Sequence, residues 1–444
     1  MMWALILLPL TVLLHSDAQL LLGSSQIKTT RVKNNRQQTR QSTFPSQEFY
    51  NFPGFSSSSN TRKTFDASPV DTNLRISFNG TGVSKQSGSS SFITGPSATV
   101  VTGPLLTAVP VLTIPFLPKM AGRAAEEFLQ FEWNDFKTRY NKVYPSAVEE
   151  QLRREIFFEN IAKIQRVNQE YAEKKRSFTQ QINPYADMLL HEFVADLNGF
   201  NRSLKTQQRV IPQATAFIPS ANVVYPTAVD WRDVGAVSDV KSQGKCAACW
   251  AFAAAGALEG HHFRKTGRLV DISAQNLIDC TEPYGNSGCS GGLMDPAFEY
   301  VRQNNGVDSE PSYPFEERNA ECRFRRENVV ATCTGFVDLG VGDERGIEMA
   351  VATLGPVTAA IDAGRDTFQF YGGGVYNDPD CGNRPEQMNH AVLIVGYGQE
   401  PDGQKFWMVK NSYGPEWGLG GYIKIAKDNG NQCGIAIQAS YPLV

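Results

Sequence analysis

Histidine is scarce in this chain, and cysteine is absent from its first half. Five histidines stand among 444 residues, at 15, 191, 261, 262 and 390, so a site that needs imidazole has few candidates. No cysteine precedes residue 246, and all eight lie between 246 and 433, which confines disulfides and thiol chemistry to the C-terminal part. Long apolar runs are nearly missing. Ala4 to Leu14 is too short for the about 20 residues a spanning helix needs. Followed by Ser16-Asp17-Ala18, it reads as a secretory signal over residues 1–18, although no Lys or Arg precedes it. Ala98 to Pro118 is uncharged and long enough to span a bilayer. However, Pro104, Pro110, Pro115 and Pro118 each oppose a continuous helix, so an unstructured or partner-docking segment is expected and no stable membrane span.

Formal net charge is −3, unevenly spread. Residues 19–118 carry 9 Lys/Arg against 3 Asp/Glu, residues 119–224 carry 15 against 13, and residues 225–444 carry 18 against 28. The acidic C-terminal part argues against nucleic acid as a partner. The basic stretch before it can attract that part at neutral pH and release it as carboxylates protonate. A secretory route favours disulfides. Asn79-Gly80-Thr81 and Asn201-Arg202-Ser203 fit this route as glycosylation acceptors.

Residues 19–97 are rich in Ser, Thr, Asn, Gln and Gly, with little apolar periodicity, and read as disordered. From about 125 to 175 the pattern turns helical, with Phe128, Phe131, Trp133, Phe136 and Tyr140 read as one stripe. A second helix is predicted to start at Ser146, which stands three before Glu149 as in a capping box. Glu149, Arg153, Phe157, Asn160, Ile164 and Asn168 follow at spacings of 4, 4, 3, 4 and 4, which puts all six on one helical face. An ordinary packed helix would show the same spacing. A polar linker, Arg202 to Ser220, comes next. Pro356 to Asp362, Ala391 to Tyr397, Phe406 to Lys410 and Gly421 to Ala426 read as antiparallel strands between Gly-rich turns.

Cys249 carries the chemistry. It opens the helical stretch Ala251 to Phe263, where unpaired N–H groups and the dipole favour a thiolate. His261 and His262 lie 12 and 13 residues along that helix, about 18 Å away, and cannot reach the sulfur. His390 remains as the base, with Asn411 after it. In acyl transfer Cys249 would attack the carbonyl, His390 would shuttle the proton and Asn411 would orient the imidazole. Gln243 would donate its amide to the oxyanion together with the Cys249 backbone N–H. Singly, such a Gln, Asn or His is ordinarily structural; their order and neighbours join them. A second class, a thiol-redox or metal protein, is raised by the C-x-x-C of Cys246 and Cys249. No second C-x-x-C or closely spaced His pair supports it.

These residues, with the six-residue helical motif and Gln181-Ile182-Asn183-Pro184-Tyr185-Ala186-Asp187, resemble the cathepsin L-like group of papain-family proteases and its inhibitory propeptides. Gln181 stands for the usual Gly and Tyr185 for the usual Phe. The resemblance runs from about Glu126 to Val444. It implies an α+β, papain-like fold of two lobes, one helical and one an antiparallel barrel-like sheet, behind a helical propeptide. The organisation is then signal 1–18, extension 19–120, propeptide 121–220 and peptidase 221–444, with maturation between about 219 and 225. The mature enzyme would open on Tyr225 to Arg232.

The resemblance also implies disulfides Cys246–Cys289, Cys280–Cys322 and Cys381–Cys433, with Cys333 free. Gly291 and Gly292 would pair with an extended substrate. Leu293, Met294, Ala360, Met388 and Ala391 would line the pocket for the residue two before the cut, with Gln438 at its floor. The lining predicts Leu, Phe or Val there, and Gln438 admits a polar tip. Trp250 is expected as core, while Trp417 would line the primed side. Ala247-Ala248 replace the family's Gly-Ser, the Ala247 methyl narrowing the pocket before the cut. Tyr413 replaces a Trp, which predicts a wetter Asn–His bond. No insertion resembles the loop of exopeptidase relatives.

The expectation is a monomeric, acid-activated cysteine endopeptidase of the lysosome or extracellular space, with no metal or cofactor. Its partners would be protein and peptide substrates and its own propeptide as intramolecular inhibitor. A catalytically silent binding protein is the alternative that Ala247, Ala248 and Tyr413 raise.

Overall fold

The computed structural model describes residues 123–201, 215–216 and 224–444. The signal segment, the polar stretch to 97, Ala98 to Pro118, the Asn79 acceptor and most of the linker and maturation region lie outside the described residues.

Two helices lead the described chain: α1 (Arg123–Arg139) and α2 (Ala147–Ala172). Trp133, Phe136, Phe157, Ile161 and Ile164 form the buried core between them. The stripe is Leu129, Trp133 and Phe136 on α1 and Tyr140 just past its end, at spacings of 4, 3 and 4. Phe131 departs from the expectation and is 66% exposed. Two residues from Trp133 is about 200° around a helix, so Phe131 faces away from that core. Ser146 caps α2, its Oγ accepting the Glu149 N–H at 3.1 Å. The Glu149 carboxylate does not return to the cap; it pairs with Arg153 at 2.7 Å.

The six-residue face of α2 holds the chain that follows it. Arg153 donates to both carboxylate oxygens of Glu192, at 2.7 and 2.9 Å. Asn160 Nδ2 donates to the carbonyls of Ala186 and Met188, and Asn168 both donates to and accepts from the Gln180 backbone. Phe157 and Ile164 are fully buried beneath these contacts. The chain so held forms β1 (Phe178–Gln180) and α3 (Leu190–Leu197). Strands β2 (Thr215–Ala216) and β3 (Val229–Asp230) follow.

The helical lobe contains α4 (Cys249–Thr266), α5 (Ala274–Cys280) and α6 (Met294–Asn304), beside the small pair β4 (Val307–Asp308) and β5 (Val329–Ala331). The second lobe holds β6 (Gly335–Asp338), α7 (Glu344–Thr353), β7 (Val357–Ile361), α8 (Asp366–Gln369) and β8 (Tyr371–Tyr376). It is completed by β9 (His390–Gln399), β10 (Lys405–Lys410), β11 (Tyr422–Ala426) and β12 (Ala439–Leu443). Its sheet runs β1-β8-β11-β10-β9-β7-β12-β6-β2, with β3 on β9. Neighbours are antiparallel except β8–β11 and β2–β6. This is the papain-like α+β architecture.

Four strands of this lobe follow the alternating apolar runs of the sequence. Strands β6, β8 and β12 carry weaker signals, three glycines in β8 and Pro442 in β12. The glycines of β8 have a use. Gly374 has φ +78°, and a Cβ on it would lie 2.4 Å from the Ser177 carbonyl oxygen. The N-terminal strand β1 therefore pairs with β8 only because that side chain is missing. Phe178, Phe193 and Leu197 of the N-terminal part are buried in the core of the sheet lobe. Each contributes about 1.5–3 kcal/mol to docking by area removed from water.

Candidate active site

The bond Cys246–Cys289 anchors the turn before α4, and Cys249 is the first residue of that helix. The N-cap, Ala248, offers no side-chain acceptor, so α4's leading N–H groups stay available. Backbone N–H groups of Ala391 and Gly199 point at the sulfur from outside the helix, each at 3.3 Å, alongside those of Cys249 and Trp250. His390 opens β9, and the strand register with β7 sets His390 opposite Ile361. The ring's Nε2 lies 2.8 Å from Asn411 Oδ1, which also accepts the Ser412 N–H at 2.8 Å. That second bond identifies the oxygen, so Nε2 carries the proton and Nδ1 is the basic nitrogen of the neutral ring. Nδ1 is buried and has no partner among the described residues.

Gln243 is fully buried. Its Nε2 donates to the carbonyls of Leu197 at 2.8 Å and Cys246 at 2.9 Å, while its Oε1 accepts the Ser412 hydroxyl at 2.6 Å. Leu197 belongs to the N-terminal segment. The amide expected to hold an oxyanion thus holds a carbonyl of the chain's own plug.

Residues 197–201 fill the groove between the lobes. Gly199 offers its N–H to the sulfur and its carbonyl to the Gly292 N–H at 2.8 Å, and Asn201 donates to the Gly292 carbonyl at 3.3 Å. Phe200 makes a parallel bridge with Gly292. The backbone edge expected for substrate is therefore paired with the plug. Gly292 has no room for a side chain, since its Cβ would lie 2.6 Å from the Trp250 ring. Phe200 is 5% exposed and sits in the apolar cluster that includes Leu293, Met294, Ala360, Met388 and Ala391. Gln438 joins them through its carbonyl, which accepts the Ala360 N–H at 2.9 Å; its Nε2 is buried without a partner among the described residues. Trp250 is core. Trp417 is fully buried, donating to the Gln369 carbonyl and packed on Phe368, Tyr371 and Tyr413. Asn201 is half-buried beside Gly291 at the edge of the groove.

In this closed state burial opposes the thiolate that the helix terminus favours. Burial pushes the Cys249 thiol up to about 11, against the pull of the surrounding backbone N–H groups. Burial likewise pushes His390 down to about 4, against the Asn411 bond. Desolvation opposes the dipole and favours the neutral form of each group. The wetter Asn–His bond expected from Tyr413 is an expectation for the open enzyme, since here Asn198, Tyr185 and Phe193 of the N-terminal segment cover this residue. Tyr413 is 1% exposed and its ring lies 4.7 Å from that of His390. Its hydroxyl donates to Asn198 Oδ1 at 2.6 Å, and its carbonyl accepts the Tyr185 hydroxyl at 2.9 Å.

The redox reading of Cys246 and Cys249 fails because Cys246 is bonded to Cys289 while Cys249 is free. Cys280–Cys322 and Cys381–Cys433 are the other bridges, and Cys333 is free and buried. Among the described residues no cluster of three or more His, Cys, Asp or Glu could hold a metal, and no helix is long and apolar enough to cross a membrane. Sequence reasoning passed over Asn198, Gly199, Phe200, Asn389 and Ser412. Nothing in the spacing of Leu197-Asn198-Gly199-Phe200 marks a segment that enters the groove, and Ser412 is visible only as the neighbour of Asn411.

A free thiol at a helix terminus, an imidazole fixed by an amide and a groove stoppered by upstream chain together describe a thiol peptidase kept shut by its own N-terminal segment. Residues 225–443 match the family profile described as "Papain family cysteine protease", and residues 133–193 match "Cathepsin propeptide inhibitor domain". The chain is 49% identical over 320 residues to "Cathepsin L" of Sarcophaga peregrina, covering 72% of this chain and 94% of that protein. It is 44% identical over 316 residues to "Procathepsin L" of Rattus norvegicus, covering 70% and 92%. Among solved structures, digestive procathepsin L 3 of Tenebrio molitor larval midgut superposes with a TM-score of 0.66 at 41% identity, covering 71% of this chain and 99% of that one. The chain belongs to the papain family of cysteine proteases, in its cathepsin L-like group, and is a cysteine endopeptidase with a propeptide.

Proposed function

We propose that Cys249, His390 and Asn411 hydrolyse peptide bonds through a thioester once the propeptide leaves. With the groove open to water, the thiol proton passes to His390 Nδ1 and the sulfur attacks the scissile carbonyl carbon. Gln243 Nε2 and the Cys249 N–H stabilise the oxyanion. The His390 proton then goes to the leaving amine. Water, giving its proton to the same nitrogen, attacks the thioester and frees the acid and the thiol. Asn411 keeps the imidazole in the tautomer these steps need. No metal or cofactor enters.

One observation carries the reading. Leu197 supplies a carbonyl to Gln243 while Gly199 presents an N–H to the sulfur. The plug therefore uses the oxyanion donor while presenting the nucleophile with a backbone N–H, which supports the donor's role. Phe200 in the apolar cluster supports a preference for Leu, Phe or Val two residues before the cut, with Gln438 admitting a polar tip. The division into propeptide 121–220 and peptidase 221–444, maturation between 219 and 225, acid release, a monomeric state and a lysosomal or extracellular destination belong to the same proposal.

The test is incubation of the purified full chain at acid pH with a thiol, followed by hydrolysis of quenched peptides varied two before the cut. Turnover that Cys249→Ala abolishes, with an apolar preference, is the expected result. A processed chain without turnover would favour a silent binding protein, and a flat profile would remove the pocket assignment.

A further inference from the structure

The plug makes one side-chain contact in the groove that hydrolysis itself does not require. Phe200 lies in the apolar cluster and Gly199 lies at the sulfur, so Asn198 sits on the opposite side of the sulfur from Phe200. If the Phe200 pocket takes the residue two before the cut, Asn198 marks where the residue after the cut is bound.

The Asn198 carboxamide is met at both ends. The Tyr413 hydroxyl donates to its Oδ1 at 2.6 Å, and its Nδ2 donates to Asn389 Oδ1 at 3.1 Å. Both enzyme groups are held from behind. The Tyr413 ring packs on His390 at 4.7 Å and on Trp417 at 5.5 Å. Asn389 Oδ1 also accepts the Ala363 N–H at 2.9 Å, while Asn389 Nδ2 donates to Asp362 Oδ1 at 3.0 Å. Flipping Asn389 would set its NH2 against the Ala363 N–H and its oxygen against a carboxylate, so its acceptor stays turned to the groove. A hydroxyl that can donate, beside one fixed acceptor, complements a primary carboxamide. An aspartate would bring a second oxygen against Asn389 Oδ1, and a leucine would leave the Tyr413 hydroxyl without a partner.

We propose that Tyr413 and Asn389 of the mature enzyme form a carboxamide-reading subsite that favours asparagine or glutamine immediately after the scissile bond. This rests on the peptidase reading above and adds a specificity that the triad does not imply. Asn198 occupies the subsite in the zymogen.

The experiment compares kcat/KM of the processed enzyme on four quenched peptides. They share Leu two before the cut and carry Asn, Asp, Leu or Ala after it. Assays run at pH 6, where a free aspartate side chain is ionised. Asn is expected to exceed both Asp and Leu by about tenfold, the worth of one buried hydrogen bond. In Tyr413→Phe, which keeps the ring over His390, the Asn-to-Leu ratio is expected to fall to about 1; a loss of packing alone would slow all four peptides together. Equal rates for Asn, Asp and Leu in the wild-type enzyme would overturn the proposal even if the variant failed to fold, as would a preference for Asn that Tyr413→Phe leaves intact. Failure to cleave any of the four would overturn the peptidase reading and this one with it, whereas cleavage with flat ratios overturns only the subsite.

Discussion

Gly199 approaches the Ala247 carbonyl so closely that a Cβ on it would lie 1.6 Å from that oxygen. The contact is backbone against backbone, just ahead of the nucleophile, and no rotamer can relieve it. Gly199→Ala should therefore push the plug off the sulfur. Overpacking of this kind costs about 1–3 kcal/mol, which lowers occupancy of the groove about 5- to 150-fold. The expected outcome is a zymogen that hydrolyses a small dipeptide substrate at pH 7 before any processing. A variant zymogen as silent as the wild type would show that the strand does not need this approach.

Burial of Cys249 makes a second outcome measurable. A thiol pushed up to about 11 by burial is disfavoured as thiolate at pH 7, and this one is also inaccessible. Iodoacetamide should leave the intact zymogen unmodified at Cys249. Mass spectrometry should find the label there after processing, at a rate at least 100-fold higher. Cys333 gives the internal control, because its own burial also raises its thiol. Equal labelling of Cys249 before and after processing would mean that the closed groove does not govern its ionisation.

Much of this architecture could be read along the chain, for reasons that particular residues show. The α2 face was legible because a 3.6-residue period needs no partner to be seen. What that face grips, from Gln180 to Glu192, was not, since hydrogen bonds such as Asn160 to Ala186 join residues 26 apart with no sequence signal. Cys249 and His390 were legible as candidates of rare residue types, and Asn411, one of many asparagines, only through its place after them. Strand β8 was hidden by its glycines, whose purpose appears only when β1 lies against them. The burial that opposes a Cys249 thiolate was not legible, because the helix terminus is local while part of the cover, such as Gly199, comes from 50 positions upstream.

Acid should loosen the propeptide through Glu192. The Arg153 guanidinium, bonded to both its oxygens, holds this carboxyl below its ordinary value of about 4.5, with the Leu189 N–H adding to the effect. A carboxyl depressed by folding contributes stability above its unfolded value, and that contribution is lost as pH falls through the lower folded value. A bidentate, partly buried pair contributes about 1–3 kcal/mol. In a Cys249→Ser background, which blocks self-cleavage, Glu192→Gln should lower the propeptide melting transition at pH 7. It should also flatten the decline seen below pH about 4.5. Parallel curves for the two proteins would locate the acid trigger in other groups.

In the proposed mechanism Gln243 serves the closed and the open enzyme through one nitrogen, and its removal separates the two roles. In the mature enzyme, loss of an oxyanion donor lowers kcat about 100- to 1000-fold with little change in KM, because the bond is made to the transition state. In the zymogen the same nitrogen holds the Leu197 carbonyl, a ground-state hydrogen bond of about 0.5–1.5 kcal/mol. Gln243→Ala should therefore speed propeptide release only about 2- to 12-fold while nearly abolishing turnover. Ser412→Ala tests the support behind it. Without the hydroxyl on Gln243 Oε1 the amide can rotate, so kcat should fall by a smaller factor and KM should stay put. A rise in KM with kcat preserved in Gln243→Ala would mean that the amide binds substrate as tightly as it binds the transition state, and the oxyanion role would have to pass to another donor.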